Sequence, residues 1–287
     1  MLDVIIALSP ALIASFYVFG SYAVVITGVC AAACLFFEWA FEKILKRKNS
    51  IGDLSAVVTG LLLAFCLPVG IPLWQAVFGC FVAIVFVKQL FGGFGKNFAN
   101  PAVTARIALL AAFPASMAAY VRPFLDSSLV TKPFASLSRY DLETLPGVFE
   151  LEMFIGVHSD YLGEANGLAL LIGGAYLLIR RVITWHIPVT FIGTVFVLTA
   201  ISGSQPVFQV FSGGLLLGAL FMATDPVTSP LAKAGHVIFG IGAGILTVVI
   251  RFYGTFPEAV SYAILLMNML VPIINKFGAR RAPGGRK

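Results

Sequence analysis

The chain is 287 residues long, 59% of them hydrophobic and 11% charged, with a formal net charge of +6 and a mean hydropathy of +0.97. Soluble domains carry about 25% charged residues, so a water-soluble globule is excluded. At about 20 residues per crossing, ten crossings use about 200 residues, which leaves loops and tails but no sizeable soluble domain.

The first apolar run follows Met1 directly, MLDVIIALSPALIASFYVFG, without the basic n-region and small-residue cleavage site of a signal peptide. It reads as a retained span. Further apolar runs bounded by Gly, Pro or charge make ten in all, near residues 3–19, 21–42, 54–68, 71–88, 101–120, 165–180, 184–202, 207–223, 235–251 and 258–275. The third is short and ends in the turn PVGIP, the pattern of a broken or re-entrant helix buried in protein. The expected fold is therefore an all-α integral membrane bundle of about ten transmembrane helices, some of them broken or re-entrant.

Charge sets the orientation. With a cytoplasmic N-terminus and alternating spans, the inner side receives Lys43, Lys46, Arg47, Lys48, Lys88, Lys96, Arg180, Arg181, Lys233, Lys276, Arg280, Arg281, Arg286 and Lys287. The outer side receives Arg122, Lys132, Arg139 and Arg251, and Arg106 stays within a span. That split, 14 to 4, predicts a multi-pass protein with both termini cytoplasmic, surrounded by lipid and without nucleic-acid partners. Arg106 must pair or snorkel; snorkelling to the inner face is the expectation, a phosphate or flavin contact the alternative.

Residues 121–164 form one long outer loop in which seven acids and Pro123, Pro133 and Pro146 alternate with Phe124, Phe134, Phe149 and Phe154. Loops of that length are usually functional, and this one reads as an ordered lid. The chain thus divides into 1–120 (five spans), 121–164 (the loop), 165–275 (five spans) and 276–287 (a basic tail). Five spans per half would make the halves opposite in topology.

Two polar, Gly- or Pro-broken stretches interrupt the halves: KQLFGGFGKNFANPAVTAR (88–106), with Asn97 and Asn100, and ALFMATDPVTSPLAK (219–233), with Thr224 and Asp225. Read as equivalent places, they mark a midplane site; the plainer alternative is a pair of cytoplasmic turns. Asp225 is the only acid between Glu164 and Glu258, and oxygens of this kind suit hard cations. Glu164, at the outer mouth of the sixth run, could bind Na⁺, relay a proton or cap a helix. Cys30, Cys34, Cys66 and Cys80 lie in apolar segments with no completed ligand set, as buried hydrophobes do. His158, His186 and His236 lack metal-ligand spacing, and no metal site is expected.

The residues FGGFGKNFANPA (91–102), LGEANGLALLIGG (162–174), WHIPVTFIGT (185–194) and FMATDPVTSP (221–230) together resemble one family. It holds the D subunit of Rnf-type ion-translocating oxidoreductases and the B subunit of the sodium-pumping NADH:quinone reductase, and the likeness covers nearly the whole chain. The resemblance implies two inverted five-helix repeats, like urea and ammonium channels, in a bacterial or archaeal cytoplasmic (inner) membrane. It implies a subunit that carries electrons within an enzyme complex, coupling transfer at the ferredoxin or NAD level to Na⁺ or H⁺ translocation. Its partners would be flavin- and Fe–S-binding subunits and a flavin transferase.

It also implies FMN joined by a phosphodiester to a Thr of the outer loop, with a second, non-covalent flavin as a further option. The loop reads LDSSLVTKPFASLS (125–138): Asp126 of the family pattern is present, but Lys132 precedes Pro133, so the nearest hydroxyl, Thr131, is displaced by one. Ser127 and Ser128 are the other acceptors in reach. Family members normally carry a further stretch before MLDV, so a late start or a shortened variant is expected. The rival to the redox reading is a cofactor-free channel or transporter of the same inverted-repeat fold.

Overall fold

The structure, a computed structural model, describes residues 1–47, 50–93, 95–118, 161–164, 167–254 and 259–279. Asp126 and Thr131, with nearly all of the outer loop and the basic tail, lie outside the described residues.

Among the described residues the regular structure is all helical, with turns between the helices and no strands. The elements are α1 (Leu2–Phe19), α2 (Ser21–Ile44), α3 (Ser55–Phe65), α4 (Leu73–Phe81, continuing in π geometry over Val82–Gln89) and α5 (Pro101–Ala112). Then come α6 (Gly167–Ile179), α7 (His186–Ile201), α8 (Leu215–Leu217, continuing in π geometry over Gly218–Met222), α9 (Lys233–Tyr253) and α10 (Ala259–Ala279). Each expected apolar run holds one of them.

Four helices are long and apolar enough to cross a bilayer: Leu2–Phe19, Ser21–Ile44, Lys233–Tyr253 and, within α10, Ala259–Lys276. Others fall well short. At 1.5 Å per residue, the 11 residues of α3 rise about 16 Å, half of a hydrocarbon core of about 30 Å. Their burial explains this: every residue of α3 except Val57, and all of Leu215–Met222, is buried. These two short helices form the centre of the bundle, while the longer helices turn side chains such as Ile13, Phe36, Trp39, Ile238 and Leu270 outward.

Local chemistry sets the breaks. Gly213 and Gly214, with φ of 64° and 67°, part the single turn Pro206–Phe211 from α8 inside what reads as one apolar run. The fifth run stops as a helix at Ala112, because Pro114 cannot continue it and opens a separate turn, Pro114–Met117. Gly60 of α3 lies so close to α2 that a Cβ there would stand 2.7 Å from the Cys30 carbonyl oxygen and 2.8 Å from Ala31 Cα.

α1 and α6 pack antiparallel. Tyr176 Oη, near the end of α6, donates to Asp3 Oδ1 (3.0 Å) at the start of α1, and Ser15 Oγ donates to the Leu162 carbonyl (2.5 Å) at the opposite end. α3 and α8 also run oppositely: Phe65 and Leu217 both press on Gly163 at one end, while Thr59 and Thr224 share a cleft at the other.

Candidate functional site

The two polar breaks meet. Asn100 caps α5, its Oδ1 accepting from Ala102 N (3.0 Å) and Val103 N (3.3 Å), with Pro101 in the first helical position. Its Nδ2 reaches across 122 residues of sequence to donate to the Met222 carbonyl at 3.1 Å, where the π-helical end of α8 gives out. Asn268 of α10 closes the junction. With its amide oriented by its neighbours, its Oδ1 accepts from Asn100 N (3.1 Å) and its Nδ2 donates to the Thr228 carbonyl (3.1 Å).

Asp225 organises the second break, accepting from Val227 N at 3.3 Å and Thr228 Oγ1 at 3.0 Å. Desolvation holds its pKa above the ordinary carboxylate value, only partly opposed by those two hydrogen bonds. Thr224 Oγ1 donates to the Leu220 carbonyl (2.7 Å). Both π stretches end at these polar segments, with Leu90 N bonding Val85 O (3.0 Å) and Ala223 N bonding Gly218 O (2.7 Å). Such widened turns are frequent at functional sites.

Between the breaks lies a cleft of about 150 Å³ with a mostly apolar wall, from Leu62, Leu177 and Phe221, and polar groups from Ser55, Thr59, Lys88, Asn97, Asn100, Thr224 and Asp225. Asn97 Oδ1 is buried there without a hydrogen-bond partner among the described residues, an acceptor left for a ligand's donor. Asn97, Asn100, Thr224 and Asp225 thus come together around one cavity. Glu164 does not join them: it ends the 3₁₀ turn Leu162–Glu164, beside Phe65 and away from the cleft, and its side chain is outside the described part.

The structure refines one expectation and corrects another. Lys88, counted with the inner-side charges, is buried: 1% exposed, it pairs with the fully buried Glu38 of α2 at 2.5 Å and touches Ser55 Oγ. Two acids at i and i+4 of an apolar helix, Glu38 and Glu42, were the signal for this cluster, since both must face the protein interior. Arg106 does not snorkel; it is buried, with its guanidinium 4.4 Å from the centre of the Tyr161 ring.

All four cysteines are free and buried, as expected of small hydrophobes. His186 and His236, isolated in sequence, bring their rings to 6.1 Å. Among the described residues no group of three or more His, Cys, Asp or Glu is arranged to hold a metal ion.

A buried polar seam enclosed by apolar helices, four of them long and apolar enough to cross a bilayer, is the architecture of a multi-pass membrane protein. Comparison with known proteins is consistent with this. Residues 1–284 match the model of the NQR2, RnfD, RnfE family, and the chain belongs to that family.

Among its relatives is the D subunit of the Na(+)-translocating ferredoxin:NAD(+) oxidoreductase complex of Acetobacterium woodii, 43% identical over 100% of this chain and 91% of the relative. The D subunit of the proton-translocating ferredoxin:NAD(+) oxidoreductase complex of Clostridium ljungdahlii is 41% identical over 96% and 88%. The D subunit of the ion-translocating oxidoreductase complex of Stutzerimonas stutzeri is 39% identical over 99% and 91%. These relatives are subunits of ion-translocating oxidoreductase complexes.

Proposed function

We propose that the chain is the flavin-carrying membrane subunit of an Rnf-type complex. It couples electron transfer at the ferredoxin or NAD level to Na⁺ or H⁺ movement through the seam between its two polar breaks. The observation that carries this is the meeting of Asn100, Asn268, Thr228 and Asp225 beside a cleft with an unpartnered acceptor. An ordinary pair of cytoplasmic turns has no need of a buried amide bridge between halves. The antiparallel pairs α1/α6 and α3/α8 support two inverted repeats of five helices, and the clustering of Lys and Arg supports cytoplasmic termini in a bacterial inner membrane.

FMN is assigned to Thr131 through a phosphodiester, with Asp126 in the acceptor motif. A second, non-covalent flavin would bind at the mouth of the cleft, whose volume of about 150 Å³ is smaller than its ring system, with Asn97 Oδ1 as acceptor and Leu62, Leu177 and Phe221 as the apolar wall. Bound flavin supplies one- and two-electron transfer. The chain's own groups do the rest: Asn100 and Asn268 hold the breaks in register, and the Asp225 carboxylate with nearby backbone carbonyls receives the cation.

The energetics close. Moving one charge against about 150 mV costs about 3.5 kcal/mol, which a potential drop of about 75 mV supplies in a two-electron step.

Coexpression with a flavin transferase, followed by a denaturing gel under ultraviolet light, tests the assignment. A fluorescent band is expected, absent from Thr131→Ala. A dark wild-type band would favour a cofactor-free channel of the same fold.

A further inference from the structure

The charged cluster at the inner end of α2 has no role in the scheme above. Glu38 is fully buried, Lys88 is 1% exposed and Glu42 is 5% exposed. The two carboxylates converge on the same donors. Ser50 Oγ is 3.1 Å from Glu38 Oε1 and bonds Glu42 Oε1, while Gln89 Nε2 lies 3.2 and 3.5 Å from the same two oxygens. Ser50 has one hydroxyl proton and cannot serve both. Glu38 Oε2 is buried with no partner among the described residues.

Among the described residues one cation, the Lys88 ammonium, meets this pair. Arg47 donates instead to the Gln89 carbonyl (2.8 Å). Asp53, half-buried, accepts from Ser55 Oγ (2.5 Å), and Ser55 also touches Lys88.

We propose that Glu38, Glu42 and Ser50 Oγ form a buried oxygen site for one monovalent cation, Na⁺ or a proton, in which the Lys88 ammonium is a tethered resident that the free cation replaces. Lys88 and Ser55 line the cleft as well, so the ammonium stands between the acidic site and the cavity. A negative charge arriving in the cleft draws the ammonium towards it and leaves Glu38 and Glu42 short of one positive charge. A cation then enters past Asp53. The flexible stem of Lys88 and its place on the π segment Val82–Gln89 permit the swing. The inference rests on the ion-translocating reading and gives it a loading site.

The test uses the full chain in nanodiscs at alkaline pH, with ²²NaCl as probe and choline chloride as the balancing salt. Wild type, its site held by Lys88, retains little label. Lys88→Gln is expected to bind one equivalent of Na⁺ about tenfold or more tighter, and Lys88→Gln with Glu38→Gln to lose that gain. If the occupant is a proton, Lys88→Gln binds no label but shows a protonated-carboxyl infrared band that the double variant lacks. A folded Lys88→Gln protein with neither signal overturns the proposal.

Should Lys88→Gln not fold, Ser50→Ala keeps every charge and removes one site oxygen. In the assembled complex, half-saturating Na⁺ then rises about tenfold, or the pH midpoint of turnover shifts by about one unit. An unchanged value overturns the proposal. Absence of flavin with the cation site intact would defeat the redox reading alone, and the reverse would defeat this inference alone.

Discussion

Glu38→Ala is expected to destabilise the bundle by about 3–5 kcal/mol, the cost of stranding a buried charge. The substitution leaves the Lys88 ammonium, 1% exposed, with Ser55 Oγ as its remaining described partner. It also takes the Glu38 acceptor from Ser50 and Gln89, which join the α2–α3 connection and the end of α4 to α2. Thermal unfolding of the purified chain measures the loss. Glu38→Ala combined with Lys88→Met should recover much of it, since a buried pair replaced by apolar groups is often neutral. A single variant as stable as wild type would mean that the pair is hydrated.

Asn100→Ala should cost about 2–4 kcal/mol and uncouple the two breaks, combining a lost helix cap with an orphaned buried carbonyl. Asn100 Oδ1 satisfies two amides of the first turn of α5, and its Nδ2 satisfies Met222 O. Without it the Met222 carbonyl has lost its cross-link to the first half. Asn100→Asp separates the two effects: it keeps the cap acceptor but removes the Nδ2 donor. Thermal unfolding should show Asn100→Asp less destabilised than Asn100→Ala, while ion uptake by the reconstituted complex should fall in both. Full uptake in Asn100→Asp would show that the bridge to Met222 is dispensable.

Much of the architecture was legible because bilayer burial imposes long apolar runs and Pro or Gly at their limits. Asn97, Asn100, Thr224 and Asp225 could be chosen on the same grounds, being polar groups in broken stretches between such runs. The burial of α3 and α8 was not legible from hydropathy, since an apolar helix facing lipid and one facing protein have the same composition. Length was the better guide, and the 11 residues of α3 are too few to span.

Asn268 escaped notice because a single amide in an apolar helix has no local signature; its partners, Asn100 and Thr228, lie far off in sequence. The buried pairing of Lys88 escaped notice for a related reason. A lysine at the end of an apolar run looks like a loop charge until its partner is known, and Glu38 is 50 positions away.

Uptake of ²²Na⁺, or of protons read by an enclosed pH dye, into liposomes holding the assembled complex tests most directly whether ion passage depends on reduction. Ions should accumulate only while reduced ferredoxin and NAD⁺ are both supplied, and Asp225→Asn should abolish accumulation while the flavin stays attached. Passive ion flux through the chain without electron flow, or full accumulation by Asp225→Asn, would contradict the account.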